Sequence, residues 1–314
     1  MTISNNSQKK SFVVIFLVSL FYVLISFISD FDELIESFQN VQLIYLPLIL
    51  SLVVVSICLK SERQRFLLRT VSANISAKNS FVIFNAGQSL LVTPGSIGNV
   101  IKSKFLKDKF GIPYSKTAPL ILVERYYDML GIISIISLFL IFRFDEVLVF
   151  PIIILTGVIF FVSFAIRNKT IFQKITSFMK KIPKLDKFAD SVLESHNTIS
   201  SFTSKKSLSL MWPYSIVCWI FDALAVYFCF LSFDLTFDFL DTTLISLTSL
   251  ILGTLSFLPG GIGITEGSMI GLIIKHDVNL SIATALVMYV RLNTTWFSTF
   301  LGFLSTKMIL KKNV

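Results

Sequence analysis

Apolar residues come in long runs along this chain, and the runs are cut by short charged clusters. Several windows of about 18 residues or more carry no charge, enough for a helix to cross a hydrocarbon core of about 30 Å. The pattern predicts an all-α polytopic membrane protein with six spanning helices, at 12–29, 43–59, 118–142, 147–166, 208–232 and 281–306. Two further apolar stretches, 79–109 and 239–276, are interrupted by Thr93-Pro94-Gly95-Ser96-Ile97-Gly98 and by Leu258-Pro259-Gly260-Gly261-Ile262-Gly263. Proline ends an incoming helix and glycine tolerates the dihedrals of a sharp reversal. Each stretch is therefore expected to enter and leave the membrane on one side, as a re-entrant hairpin. A backbone reversal in lipid leaves polar groups unpaired, so such a tip must face protein or a wet cavity. An ordinary interhelical loop with both arms spanning is the alternative.

Charge gives the chain a direction. Most of its 28 basic residues fall in five places. These are Lys9 and Lys10; Lys60 to Lys78, including Arg63; Lys102 to Lys116; the segment 167–206; and Lys307 to Lys312. Acidic residues mark the opposite loops: Asp30 to Glu36, Asp145 and Glu146, and Asp234 to Asp241. Basic loops stay cytoplasmic, which predicts a multi-pass plasma-membrane protein with both termini cytoplasmic. The first apolar run lacks an A-x-A-like end and reads as a retained helix rather than a cleaved signal.

The two breakers align. Pro94, Gly95, Ile97 and Gly98 match Pro259, Gly260, Ile262 and Gly263, and Arg125 matches Arg291 at nearly the same distance downstream. The chain thus divides near residue 145. Residues 1–145 form a first repeat holding hairpin 79–109 and the span 118–142. Residues 146–314 form a second, holding a cytoplasmic amphipathic loop at 167–207, hairpin 239–276 and the span 281–306. Three crossings per repeat place the second upside down relative to the first. Inverted repeats with broken helices are a transporter architecture.

Composition agrees: 54% hydrophobic, 15% charged, 32 phenylalanines and a mean hydropathy of +0.78. Net charge is +9, and its distribution follows topology rather than a nucleic-acid surface. Cys58, Cys218 and Cys229 lie in apolar runs, and His196 and His276 are far apart, so neither a disulfide framework nor a metal site is expected. No Walker loop, dinucleotide loop or Ser-His-Asp signature is present. No cofactor, catalytic residue or enzymatic activity is expected.

Some charges stand where lipid should be. Glu124, Arg125 and Asp128 lie in the third span, Asp222 in the fifth, Glu266 just past the second breaker, and Arg291 in the sixth span. A charge at mid-membrane costs about 2.5–3.5 kcal/mol on insertion scales and marks a site or a pairing partner. Arg125, Arg291, Glu124, Asp128 and Glu266 are therefore candidates for a polar headgroup cavity, with arginine suited to phosphate. The hairpin tips Pro94, Gly95, Gly98, Pro259, Gly260, Gly261 and Gly263 would supply oriented N–H groups. Structural pairing of Arg125 with Asp128 and of Arg291 with Glu266 is the plainer alternative. Asp222 is a possible proton relay or a hydroxyl-paired acid. In the loop, Ile171, Phe172, Ile175, Phe178, Met179 and Ile182 alternate with Lys174, Lys180 and Lys181 at helical spacing, as in an interfacial helix. A second amphipathic stretch runs from Leu185 to His196.

The blocks PGSIGNVIKSKFL, ERYYD and LPGGIGITEGSMIGLII, with the later VRLN, resemble the lysylphosphatidylglycerol synthetase transmembrane-region family, also called flippase-like. The resemblance covers essentially the whole chain. It maps the family pattern onto Pro94, Gly95 and Gly98; onto Glu124, Arg125 and Asp128; and onto Pro259, Gly260, Gly261, Gly263, Glu266 and Arg291. It implies a plasma-membrane protein linked to moving lipid between leaflets. A stand-alone member without the soluble aminoacyl-transferase domain is expected, since the last apolar run closes near Val314. Asn99 stands where an acidic residue is common in the family, so no carboxylate role is carried to that position. The leading expectation is a lipid flippase or transporter for a polar or phosphate-bearing headgroup. The alternative is a membrane scaffold for a separately encoded glycosyltransferase or lipid-modifying enzyme; an intramembrane enzyme is the weakest reading.

Overall fold

The computed structural model describes residues 31–90, 97–143, 146–181, 196–256 and 258–311, and among them every regular element is helical. In chain order these are α1 (Phe31–Gln39), a 3-10 turn (Leu43–Tyr45), α2 (Leu46–Thr70), α3 (Ala77–Gln88), α4 (Ile97–Phe110), α5 (Tyr114–Phe142), α6 (Glu146–Arg167) and α7 (Lys169–Met179). There follow α8 (His196–Phe202), α9 (Lys205–Ser232), α10 (Phe239–Leu255), a 3-10 turn (Pro259–Gly261), α11 (Ile264–Ile274), α12 (Leu280–Arg291), a π-helical segment (Leu292–Trp296) and α13 (Phe297–Lys311). The expected span 12–29, the tip residues Pro94 and Gly95, and most of the second amphipathic stretch lie outside the described residues.

Three of these helices are long and apolar enough to cross a membrane: Leu43–Thr70, Tyr114–Phe142 and Lys205–Ser232. At 1.5 Å per residue each reaches about 40 Å. A fourth counts only if Ile152–Ala165 and Lys169–Met179, bent by 99° to each other, form one span. The bend has a local cause: Asn168 accepts hydrogen bonds from the backbone N–H groups of Thr170 and Ile171 and starts α7 afresh. On α6, Ile153, Ile154, Val158, Phe160, Phe161 and Phe164 are all exposed. So large an uncovered apolar face suits hydrocarbon, not water.

Two compact units emerge, each assembled from separated segments. One contains Met1–Val55, Gln88–Gly98 and Phe221–Leu304; the other contains Ser56–Gly87, Asn99–Ile220 and Ser305–Val314. The second unit has an apolar core of Leu67, Leu68, Ile83, Leu106, Leu120 and Val123, with the buried Tyr127 hydroxyl donating to the Phe202 carbonyl at 2.9 Å. In the first unit α10 and α11 pack against each other, and α12 packs on α11 and α1. Phe233 bridges this unit's aromatic contacts, meeting Phe38 and Tyr289 edge-on.

The sequence LPGGIGI forms the turn between α10 and α11. Gly260, Gly261 and Gly263 have φ of 62°, 66° and 88°, values that side-chain-bearing residues rarely adopt. The arms close tightly. A Cβ built on Gly253 of α10 would lie 1.8 Å from Thr265 Oγ1 and 3.4 Å from the Gly261 Cα. Gly253→Ala would ordinarily strengthen a helix. Here it should instead destabilise the protein by about 1–3 kcal/mol through overpacking, with a lower midpoint of thermal unfolding in detergent, and Thr265→Ala should recover part of that loss.

Candidate functional site

Buried charges organise both units. In the unit built around α11 and α12, Arg291 Nε approaches Glu266 Oε1 at 2.8 Å, with the two side chains 7% and 1% exposed. This approach is an ion-pair contact rather than an aligned hydrogen bond, since Nε lacks a hydrogen-bond acceptor of good geometry. The other guanidinium nitrogens are well aimed. Nη2 donates to the Gly260 carbonyl at 2.8 Å and Nη1 to Thr295 Oγ1 at 3.0 Å. Glu266 Oε2 in turn accepts the Gly263 N–H at 2.8 Å. The result is a closed circuit: turn carbonyl, arginine, glutamate, turn N–H. It fastens the Pro-Gly turn and the start of α11 to the end of α12. Thr295 belongs to the π segment that follows Arg291, a local widening often found at functional positions.

The other unit holds a second network. Arg63 on α2 is 1% exposed; its Nη2 donates to Asp128 Oδ1 on α5 at 2.7 Å and its Nη1 to Ser215 Oγ on α9 at 2.8 Å. Trp219 Nε1 donates to the same Asp128 oxygen at 3.3 Å, and the Lys60 ammonium sits 4.0 Å above the Trp219 ring. Gly131 explains how α9 comes so near. A Cβ there would lie 3.0 Å from the Ser215 backbone and 3.1 Å from Trp219 Cδ1, so only a bare α-carbon lets the helices approach this closely. One turn before Asp128, Glu124 pairs with Lys102 on α4, and the Lys102 ammonium lies 4.9 Å from the Phe84 ring on α3. Arg125 stands apart from this interior. Its side chain is 44% exposed, and it reaches Asp128 Oδ2 only at 3.9 Å.

A family model for the lysylphosphatidylglycerol synthase TM region matches residues 12–302. The chain belongs to that family. Among similar proteins, a UPF0104 membrane protein of Methanocaldococcus jannaschii is 24% identical, the match covering 97% of this chain and 96% of the relative. One from Pyrococcus horikoshii is 24% identical over 94% and 96% of the two chains. Another, from Methanothermobacter thermautotrophicus, is 25% identical over 70% and 69%. The identification establishes a membrane protein of this family without assigning it an activity.

Against the family's motif positions, the structure gathers Glu266, Arg291, Gly260, Gly261 and Gly263 at one turn and places Glu124 and Asp128 on one face of α5. Gly98 lies in the first turn of α4, and Asp222 is partly buried on α9. The two partners that complete the second network, Arg63 and Lys102, belong in sequence to the basic clusters assigned to the cytoplasmic side, and the structure buries both against carboxylates. A signal for them exists. Arg63 precedes Leu67 by one helical turn, and Lys102 precedes Leu106 by one turn; both leucines are wholly buried. Among the described residues no group of three or more His, Cys, Asp or Glu side chains is placed to hold a metal.

Breaking a buried pair strands a charge. Glu124→Ala should cost about 3–5 kcal/mol, whereas Arg125→Ala, at a half-exposed position, should cost at most about 1 kcal/mol. Detergent unfolding midpoints of the two variants check that order.

Proposed function

We propose that this protein moves a polar lipid headgroup between membrane leaflets. The observation that carries the reading is the pair of buried ionic networks, each joining the helix after a Pro-Gly breaker to the next long helical segment, in a chain whose outer faces are apolar. Charges this costly are expected where a polar passage is built. Lipid tails can stay in the bilayer, so only the headgroup needs polar partners. In this reading the chain crosses the plasma membrane six times, with both termini cytoplasmic. Stretches 79–109 and 239–276 are re-entrant, and the two halves are inverted repeats. Glu124, Asp128, Arg125, Glu266 and Arg291 engage the headgroup or gate its path, and the protein performs no covalent chemistry.

A second reading has its own support. Helix α7 carries Lys174 beside the exposed Phe178, a basic amphipathic surface on which a lipid-modifying enzyme would dock. Copurification of such an enzyme in constant ratio, with no flipping by the isolated protein, favours this scaffold role.

The transport reading is tested in proteoliposomes with leaflet-labelled lipids. Wild-type protein should accelerate exchange, and Arg291→Ala, checked for folding, should slow it about tenfold or more, equivalent to a loss of about 1.4 kcal/mol. Full-rate flipping by Arg291→Ala removes that arginine from the mechanism, and no flipping of any headgroup by wild type removes the transport reading.

A further inference from the structure

Near its end, α6 still has the outer face of a helix in hydrocarbon: Phe161 and Phe164 are both exposed within about two turns of Asn168. The chain then turns by 99° into α7. A helix at a right angle to one that crosses the membrane runs along the membrane surface, and α7 starts at the level where the apolar face of α6 stops. Composition changes at the same point. From Asn168 to Ile182 the chain holds Lys169, Lys174, Lys180 and Lys181 and no acidic residue. That many cations in so short a helix bar it from the hydrocarbon, so α7 is not the second half of a span.

The flanks of α7 differ. Phe172 and Thr176, one turn apart, are 8% and 2% exposed. The Phe172 ring lies 4.6 Å from that of His196 on α8 and belongs to the same core as Ile199, Phe202 and Tyr127. Thr176 Oγ1 donates to the Phe172 carbonyl at 3.1 Å, so its burial strands no polar atom. This flank is held by protein. Another flank carries Lys174, Phe178 and Lys181, at i, i+4 and i+7, a spacing that lines them up along a helix. The helical path lasts to its end: the Lys180 N–H donates to the Thr176 carbonyl at 3.1 Å and the Lys181 N–H to the Phe178 carbonyl at 3.0 Å. Both Lys174 and Lys181 are exposed, as is Phe178 between them. At a membrane surface each part of this stripe has a place. The ring enters the boundary between headgroups and acyl chains. The lysine stems lie along that boundary while their ammonium groups reach the headgroup phosphates.

We propose that α7 lies flat on the membrane surface and binds anionic phospholipid through Lys174 and Lys181, with Phe178 inserted at the base of the headgroups. A zwitterionic headgroup sets a cation of its own against the lysines, and an anionic one does not. An acidic protein would also pair with the lysines, but it leaves unexplained why the stripe begins where α6 leaves hydrocarbon. The inference stands apart from the transport reading, because it concerns a surface helix and not a headgroup path.

The test is hydrogen exchange of the backbone amides of 169–181, read by mass spectrometry on the full chain at low salt. One set of nanodiscs holds phosphatidylcholine alone, the other equal parts of phosphatidylcholine and phosphatidylglycerol. Each lysine near an anionic surface strengthens attachment about fivefold, so wild type should exchange about tenfold or more slowly in the anionic membrane, and added salt should erase the difference. In Lys174→Gln/Lys181→Gln the slowing should be lost. That variant meets the same surface pH as wild type, so a pH effect of the membrane on exchange cancels in the comparison. Lys174→Arg/Lys181→Arg keeps both charges and should keep the slowing. Equal exchange of wild type in the two membranes overturns the proposal and leaves the stripe to a protein partner. Slowing that survives Lys174→Gln/Lys181→Gln, or that Lys174→Arg/Lys181→Arg loses, overturns it as well.

Discussion

An ion taken from water into a low-dielectric interior loses several kcal/mol of solvation, and only an opposite charge within contact distance offsets most of that loss. This constraint decides where the helices of this chain lie. Arg63, Lys102 and Arg291 are each almost wholly buried, and each faces a carboxylate on another helix: Asp128, Glu124 and Glu266. Apolar packing alone would leave such helices free to slide by a residue. A guanidinium that must meet a particular carboxylate and a particular carbonyl fixes both depth and rotation.

The two breaker regions solve the same problem with opposite charges. After the second Pro-Gly, the returning helix carries the carboxylate Glu266 and the following helix the cation Arg291. After the first, the next helix, α4, carries the cation Lys102 and α5 the carboxylate Glu124. Sequence similarity between the regions runs through the glycines and through Arg125 and Arg291, yet those two arginines live differently: one is half-exposed and the other is locked into the turn. Similar Pro-Gly sequences thus precede different side-chain chemistry. One network ties a glycine turn to a helix end. The other ties α2 and α4 to one face of α5.

Much of this was legible in the chain. Uninterrupted apolar runs announce α2, α5 and α9, because no soluble core needs helices of that length and composition. The Pro-Gly-Gly turn is readable because its dihedrals admit little but glycine, and Glu266 with Arg291 stand out as charges in apolar surroundings. Arg63 and Lys102 were hidden by their neighbours. Each sits in a run of lysines and arginines, where charge patterning speaks of loops, and only tertiary packing turns their side chains inward. The 99° turn into α7 was marked only by Asn168, a cap that local sequence shows but periodicity does not.

Reversal of one buried pair tests the ionic framework most directly. Lys102→Glu and Glu124→Lys each place two like charges together inside the protein, and neither variant should yield folded, monodisperse protein from the membrane. The double exchange restores opposite charges across α4 and α5 and should recover folded protein, as judged by size-exclusion profile and unfolding midpoint. Single variants that fold as well as wild type, or a double variant no better than either single, would contradict the claim that these charge pairs set the architecture.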